Sequence, residues 1–151
     1  MLKKLNELAI ITMGQSPKSE YYNYENFGTP FMQGCTTFGR IYPYINTWTT
    51  NYNKLAKSND ILFTVRAPVG DINIATTDIA IGRGLASIRA TTVSHKYLYY
   101  LLISNKHKFI SNSSGTVYDS INKNSLESIE LNIHTNDIQH SIVDIMYSRF
   151  Y

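Results

Sequence analysis

The segment spanning residues 60–89 constrains the fold of this chain more than any other feature. Three runs rich in apolar and β-branched residues lie in it, at positions 61–65, 71–75 and 85–88. Glycines separate these runs, at Gly70, Gly82 and Gly84. Such runs bounded by glycine predict buried strands. Glycine also permits a positive φ or a close backbone approach that other residues resist. The sequence therefore predicts a β core in the middle of the chain.

The hydrophobic pattern predicts further strands before this core and mostly helices after it. Strands are expected before it at residues 8–13 and 30–33, with loops and short edge strands at 34–59. Beyond the core the spacing favours helices at residues 95–110 and 122–128, a strand at 129–133 and a last helix after Thr135. Because strands and helices do not alternate strictly, we expect an α+β fold, with a compact mixed or antiparallel sheet and flanking helices.

Composition excludes several classes of protein. The 151 residues suit one domain, and the lone Cys35 cannot form an internal disulfide or a zinc site built on cysteines. No apolar run approaches the roughly 20 residues that span a bilayer, so we expect an intracellular, cytoplasmic protein that does not enter membranes. The net charge of +3 and pI of about 8.9 are too mildly basic to identify a nucleic-acid binder by themselves.

The sequence offers no positive case for an enzyme. It has no phosphate-binding GxxxxGK[ST] loop, no GxGxxG turn and no GxSxG nucleophile elbow. None of the histidines has the spacing of metal ligands, and Cys35 has no local partner that would activate it. We therefore expect neither a catalytic site, a metal site nor a cofactor in this chain.

Arginines at the ends of predicted strands are the first candidates for ligand binding. Arg66 and Arg83 lie where apolar runs meet proline or glycine turns. An arginine so placed can direct its guanidinium to a phosphate or to the O6 and N7 atoms of guanine. The favoured alternative is a structural ion pair with Asp71 or Asp78 that holds the turn. We therefore expect these two arginines to be partly structural.

Polar loops with interleaved aromatic residues supply further candidates. Arg40 lies in such a loop, where a DNA contact and a packed surface loop are alternatives. Lys18, Tyr21 and Tyr22 repeat the pattern after residues 14–17, and Gln33 ends a predicted strand. The loop at residues 111–116 could hold phosphate through Ser114 and Thr116, or could be a solvated helix terminus. Arg40, Gln33, Lys18 and the Ser114 loop are the preferred contacts.

The last predicted helix carries an apolar stripe. Its members are Ile138, Ile142, Ile145 and Met146, which recur at helical spacing. A stripe of this kind can dock on its own domain or can pair with another helix. We expect it to bind a partner.

An ordered set of short blocks closely resembles the target recognition domains of type I restriction-modification specificity subunits, the HsdS-like proteins. The resemblance covers about residues 5–145 and is strongest in the β core. The blocks lie at residues 14–17 with 21–22, then 28–34, 60–70, 82–86, 97–102, 114–116 and 121–123. No single block would be specific, but their order is.

This resemblance implies a function and a set of partners. It implies residues 1–134 as a non-catalytic domain that recognises double-stranded DNA, and residues 135–151 as the shortened beginning of a spacer helix. DNA methyltransferase subunits, restriction subunits and a second specificity subunit are the implied partners, and S-adenosylmethionine, ATP and magnesium belong to them. The alternative is a truncated interaction module that binds methyltransferase or other specificity subunits as a decoy or an exchangeable cassette. A gene remnant without activity of its own is a third alternative.

Overall fold

The computed structural model describes residues 1–113 and 120–150, without the side chains of residues 149 and 150. Within these residues the strands are β1 Leu2–Lys4, β2 Ala9–Met13, β3 Tyr22–Asn23, β4 Thr29–Met32, β5 Trp48–Thr49, β6 Leu55–Ala56, β7 Ile61–Thr64, β8 Ile72–Ile74, β9 Ile79–Ile81, β10 Leu85–Ala90 and β11 Glu130–Asn132. The helices are α1 Leu5–Leu8, α2 His95–Ser104, α3 Lys106–Ser111, α4 Lys123–Ser128 and α5 Asn136–Phe150. A 3-10 turn spans Ser19–Tyr21.

The strands of the described residues divide among three sheets. A four-stranded antiparallel sheet has the order β2-β10-β7-β8, and a five-stranded sheet has the order β3-β5-β4-β9-β6. The second sheet is mixed, because β4 and β9 run parallel. Strands β1 and β11 form a small antiparallel pair beside them. The predicted α+β class with mixed and antiparallel pairing is confirmed, although the strands form several sheets rather than one.

The hydrophobic core lies where the four-stranded sheet meets the helices. Helix α2 begins at the N-cap Ser94, whose side chain accepts a hydrogen bond from the Tyr97 backbone N–H. Its inward face buries Leu98, Leu101 and Leu102 against the sheet. The helix predicted at residues 95–110 is interrupted at Asn105, whose backbone angles, φ −112° and ψ 17°, depart from helical values. A second, smaller cluster of buried residues surrounds Ile79 and Ile81.

Strands β7 and β10 form the frame of the candidate site. They are antiparallel, with Thr64 opposite Leu85 at one end and Ile61 opposite Ile88 at the other. The end of β7 and the start of β10 therefore lie together, and so do the start of β7 and the end of β10. Two groups of side chains occupy these opposite ends. We call the first the arginine edge, formed by Ser16, Gln33, Arg66 and Arg83, and the second the Asp60 edge, formed by Lys57, Asp60, Ser87 and Arg89.

Candidate nucleic-acid interface

Backbone hydrogen bonds bring distant parts of the chain together at the arginine edge. The Val65 N–H donates to the Gly84 carbonyl over 3.0 Å, which places Arg66 beside the turn that carries Arg83. The Gly84 N–H in turn donates to the Gln33 carbonyl over 3.0 Å. These bonds join the turn before β10, the end of β7 and the end of β4 into one surface.

The Ser16 hydroxyl connects Arg83 to Gln33 at the arginine edge through two hydrogen bonds. The Ser16 hydroxyl accepts from the Arg83 backbone N–H over 3.1 Å and donates to the Gln33 Oε1 over 2.8 Å. Ser16 belongs to the turn-forming residues 14–17, so this turn contacts the other two. Sequence reasoning did not identify the role of Ser16, because its partners lie 17 and 67 positions away.

A glycine is required where the Gln33 side chain meets the turn before β10. A Cβ added at Gly82 would lie 2.5 Å from Gln33 Oε1 and 2.9 Å from Gln33 Cα. Both distances are shorter than real Cβ atoms tolerate, so a side chain at Gly82 would displace Gln33. The expectation that Gly82 allows a close backbone approach is confirmed.

The arginines of this edge lack the acidic partners expected for them. Arg66 and Arg83 are both exposed, whereas Asp71 pairs with Lys106 and Asp78 pairs with Lys57 at 3.4 Å. Within residues 1–113 and 120–148, no ion pair or hydrogen bond engages either guanidinium. The structural ion pairs favoured by the sequence were therefore wrong. Asp71 is satisfied instead by a lysine 35 residues further along the chain, on α3.

The remaining sequence candidates beside this edge differ in exposure. Lys18 is exposed immediately before the 3-10 turn, and Tyr21 is half-buried within it. Tyr22 is also half-buried, because its hydroxyl donates to the Pro17 carbonyl over 2.9 Å and its ring lies 4.7 Å from that of Phe31. Packing thus accounts for part of the Tyr22 surface. Ser114 and Thr116 lie outside the described residues.

Arg40 lies at a different place, along the outer strand of the four-stranded sheet. The Asn73 side chain exchanges two hydrogen bonds with the Gly39 backbone, at 2.9 and 3.0 Å, and the Ile74 N–H donates to the Ile41 carbonyl over 2.8 Å. These bonds fix the loop along β8. Arg40 is exposed there and lines a cavity of about 310 Å³ together with Ile41, Tyr99, Tyr100, Ile103 and Met146.

The Asp60 edge is a satisfied ionic cluster. Arg89 Nε and Nη2 donate to the two oxygens of the Asp60 carboxylate over 2.8 and 2.9 Å, and the Ser87 hydroxyl and the Lys57 backbone N–H donate over 2.6 and 2.8 Å. Burial alone would raise the pKa of Asp60. These hydrogen bonds and the charge of Arg89 together outweigh burial, so the pKa of this carboxyl lies below its ordinary value.

Helix α5 is anchored at its start and only partly covered along its length. The Tyr97 hydroxyl accepts from the His134 backbone N–H over 3.0 Å and lies 2.6 Å from His134 Nδ1. Ile142 and Met146 pack against the core, but Ile138 and Ile145 are 48% and 57% exposed. The apolar stripe therefore divides into a docked part and an exposed part.

The described residues show neither a metal-binding cluster nor a membrane-spanning helix. No group of three or more His, Cys, Asp or Glu side chains in them is arranged to hold a metal ion. None of the helices described in the chain combines the length and the apolar character needed to cross a bilayer.

Comparison with protein families places this surface in context. Residues 1–150 match the family model of the type I restriction modification DNA specificity domain. The chain belongs to this family. The resemblance seen in the sequence, to the target recognition domains of type I specificity subunits, is thereby confirmed.

Individual relatives agree with this assignment. The MjaX type I restriction enzyme specificity subunit of Methanocaldococcus jannaschii is 45% identical over 123 residues, which are 80% of this chain and 29% of that protein. The HsdS subunit of Thermoanaerobacter tengcongensis is 33% identical with a TM-score of 0.85, over 98% of this chain and 36% of that chain. A chain from a structural study of complex assembly and conformational transition in the type I R-M system is 34% identical with a TM-score of 0.87, over 98% of this chain and 37% of that one.

This specificity domain thus spans about a third of the length of the relatives that it matches. Four of the blocks that carry the family resemblance contact one another in its structure. Ser16, Gln33, Arg66 and Arg83 come from separate blocks, and the fold joins all of them at the arginine edge. Four of the ordered motifs therefore meet at one surface.

Proposed function

We propose that this domain is a non-catalytic reader of double-stranded DNA sequence within a type I modification complex. The observation that carries the proposal is the arginine edge itself. Two exposed arginines and a glutamine converge there, and neither guanidinium has an acidic partner among the described residues. Exposed cationic groups that the fold leaves unneutralised are suited to the phosphates and base edges of DNA.

The properties of the individual side chains support this reading. Arginine can donate two parallel hydrogen bonds to guanine O6 and N7 or to phosphate oxygens. Arg66 and Arg83 are therefore the proposed central contacts, with Gln33 and Lys18 as further contacts. The backbone bonds that join Val65, Gly84 and Gln33 tie Gln33, Arg66 and Arg83 to strand ends that are hydrogen-bonded to one another, rather than leaving them on independent loops. Such rigid support favours sequence recognition, because less conformational entropy is lost on binding.

Further contacts are proposed around this centre. Tyr21 lies on the turn that follows Lys18, and Tyr22 begins β3 directly after it. Tyr22 would contribute through the part of its ring that Phe31 leaves uncovered. Ser114 and Thr116 remain proposed phosphate contacts from the sequence. Arg40 remains a proposed second contact, at the β8 edge. Its loss should relax base preference by about 1–3 kcal/mol if it reads guanine.

Binding to a randomised double-stranded DNA pool at two salt concentrations tests the proposal. The domain would be used alone and together with a type I methyltransferase subunit. We expect enrichment of a short motif and weaker binding at higher salt, since phosphate contacts release counterions. Binding without an enriched motif in both conditions would contradict sequence recognition.

A second function concerns protein partners and is favoured by the exposed part of α5. Ile138 and Ile145 form an exposed apolar strip beside the docked Ile142 and Met146. We propose that this strip binds a methyltransferase subunit or a second specificity subunit, and that restriction subunits join through that complex. S-adenosylmethionine, ATP and magnesium would then be held by the partners.

Size-exclusion chromatography of the domain mixed with a methyltransferase subunit tests this second function. Ile145→Ser should weaken the complex, whereas Ser148→Ala, on the same helix, should not. If DNA selection fails but the complex forms, the domain is an interaction module, which is the decoy or cassette alternative. If the Ile145→Ser variant binds as the unmodified chain does, the exposed strip is not the contact.

A further inference from the structure

We infer that Ser16 is a positioning residue that makes Gln33 a reader of hydrogen-bond acceptors on DNA, an inference that rests on the proposed recognition of DNA. Gln33 is exposed, yet its side chain is held in place. An exposed glutamine normally samples several rotamers and loses that freedom on binding. A side chain that is both exposed and fixed is instead prepared for a ligand.

The position of Oε1 determines which way the Gln33 amide faces. Oε1 accepts the Ser16 hydroxyl hydrogen over 2.8 Å and lies against the Gly82 backbone, where a Cβ would be only 2.5 Å away. This oxygen therefore faces the protein. The Ser16 hydroxyl accepts the Arg83 N–H, which leaves its own hydrogen to be donated to Oε1. Ser16 thus determines which end of the amide points inward.

The opposite end of the Gln33 amide is left for a ligand. No hydrogen bond from Nε2 is formed to any of the described residues. Nε2 carries two N–H donors and no acceptor. A freely rotating glutamine pairs with adenine by combining its oxygen with N6 and its nitrogen with N7. With the oxygen turned inward, Gln33 offers donors only, and these match the N7 and O6 acceptors of guanine in the major groove.

The base preference at one position of the DNA site should therefore depend on Ser16, although Ser16 need not contact DNA. We expect the unmodified domain to prefer guanine at one position of its site. Ser16→Ala frees Oε1 and should relax that preference by about tenfold, with adenine gaining at the same position. Ser16→Thr keeps a hydroxyl and should restore the preference. Gln33→Ala should abolish it at that position and leave the other positions unchanged.

The test is selection from a randomised duplex pool, run with all variants in the condition where the unmodified domain enriches a motif. Ser58→Ala is the matched control, because it removes an exposed serine hydroxyl that donates to the Thr76 carbonyl beside the Asp60 edge. It should leave every base preference unchanged. Urea denaturation of each variant verifies that the domain is folded.

The outcomes separate this inference from the proposed function. A motif that Ser16→Ala leaves unchanged would overturn the positioning role while the proposed DNA recognition stands. An equal loss of affinity for every sequence would also overturn it, because it would mark Gln33 or Ser16 as a phosphate contact. If the unmodified domain enriches no motif under any condition, both the proposed function and the inference fail.

Discussion

The two ends of the β7–β10 pair carry arginines in opposite electrostatic circumstances. At the Asp60 edge, Arg89 makes two hydrogen bonds to a buried carboxylate, and Ser87 and the Lys57 N–H complete the cluster. At the arginine edge, Arg66 and Arg83 are exposed and no carboxylate among the described residues pairs with them. Among the residues that the structure describes, the same two strands thus end in a neutralised cluster on one side and in positive charge without an acidic partner on the other.

This difference separates an arginine that stabilises the fold from arginines that are available to a ligand. The Asp60 carboxyl is 2% exposed, so its charge is tolerable only because four donors surround it. Arg66 and Arg83 need no partner for stability because water solvates them. Such exposed cations contribute little to folding, and in the proposed function they bind the anionic groups of DNA.

The largest expected effect is the loss of stability when the Asp60 cluster is broken. Asp60→Ala leaves the Ser87 hydroxyl and the Lys57 N–H without their acceptor and Arg89 without its counterion. We expect the free energy of unfolding to fall by about 3 kcal/mol, measured by urea denaturation. Asp144→Ala, which removes an exposed carboxylate from α5, is the control and should change it by less than about 0.5 kcal/mol. Equal stability of the two variants would show that Asp60 is not a structural centre.

A smaller effect, on binding and not on stability, is expected at the arginine edge. Arg66→Ala and Arg83→Ala should each weaken binding to the preferred DNA by about 1–3 kcal/mol, while the free energy of unfolding changes by less than about 0.5 kcal/mol. Arg89→Ala is the matched control and should show the reverse, with lower stability and unchanged affinity below its melting temperature. Electrophoretic mobility or fluorescence anisotropy titrations give the affinities. If Arg89→Ala weakened DNA binding as much as Arg83→Ala, the two edges would not be functionally distinct.

Parts of this contrast could be predicted from the sequence and parts could not. The strands around residues 61–65 and 85–88 were predictable because runs of apolar and β-branched residues give a strong local signal. Arg66 and Arg83 were recognisable as candidates for the same reason, since they end those runs. That neither arginine pairs with Asp71 or Asp78 was not predictable from the sequence. These carboxylates pair with Lys106 and Lys57 instead, and pairings between distant residues leave no local pattern.

Other features were hidden for related physical reasons. Strand β1 has three residues and only one half-buried position, so its pairing with β11 produces no visible alternation. The interruption at Asn105 is a change of backbone angles at one residue, which the helical spacing of residues 95–110 does not reveal. The periodic stripe of α5 identified Ile138, Ile142, Ile145 and Met146 as one face, but only packing against α2 shows which of them are covered. The Ser16–Gln33 bond likewise depends on tertiary structure.

The smallest expected effect is a difference in acid sensitivity that only the Asp60 edge should show. The pKa of Asp60 in the folded domain lies below its ordinary value of 3.8. The unfolded chain therefore binds a proton first, and the stabilisation is present above that value and is lost as pH falls through the folded pKa. In Arg89→Ala the strongest hydrogen bonds and the compensating charge are gone, while burial still raises the pKa of this carboxyl.

Urea denaturation from pH 6 to pH 3 should therefore show a shallower loss of stability in Arg89→Ala than in the unmodified domain. Arg83→Ala should retain the unmodified slope, because no carboxylate pairs with Arg83 among the described residues; a slope as shallow as that of Arg89→Ala would reveal an acidic partner at the arginine edge and remove the contrast between the two ends.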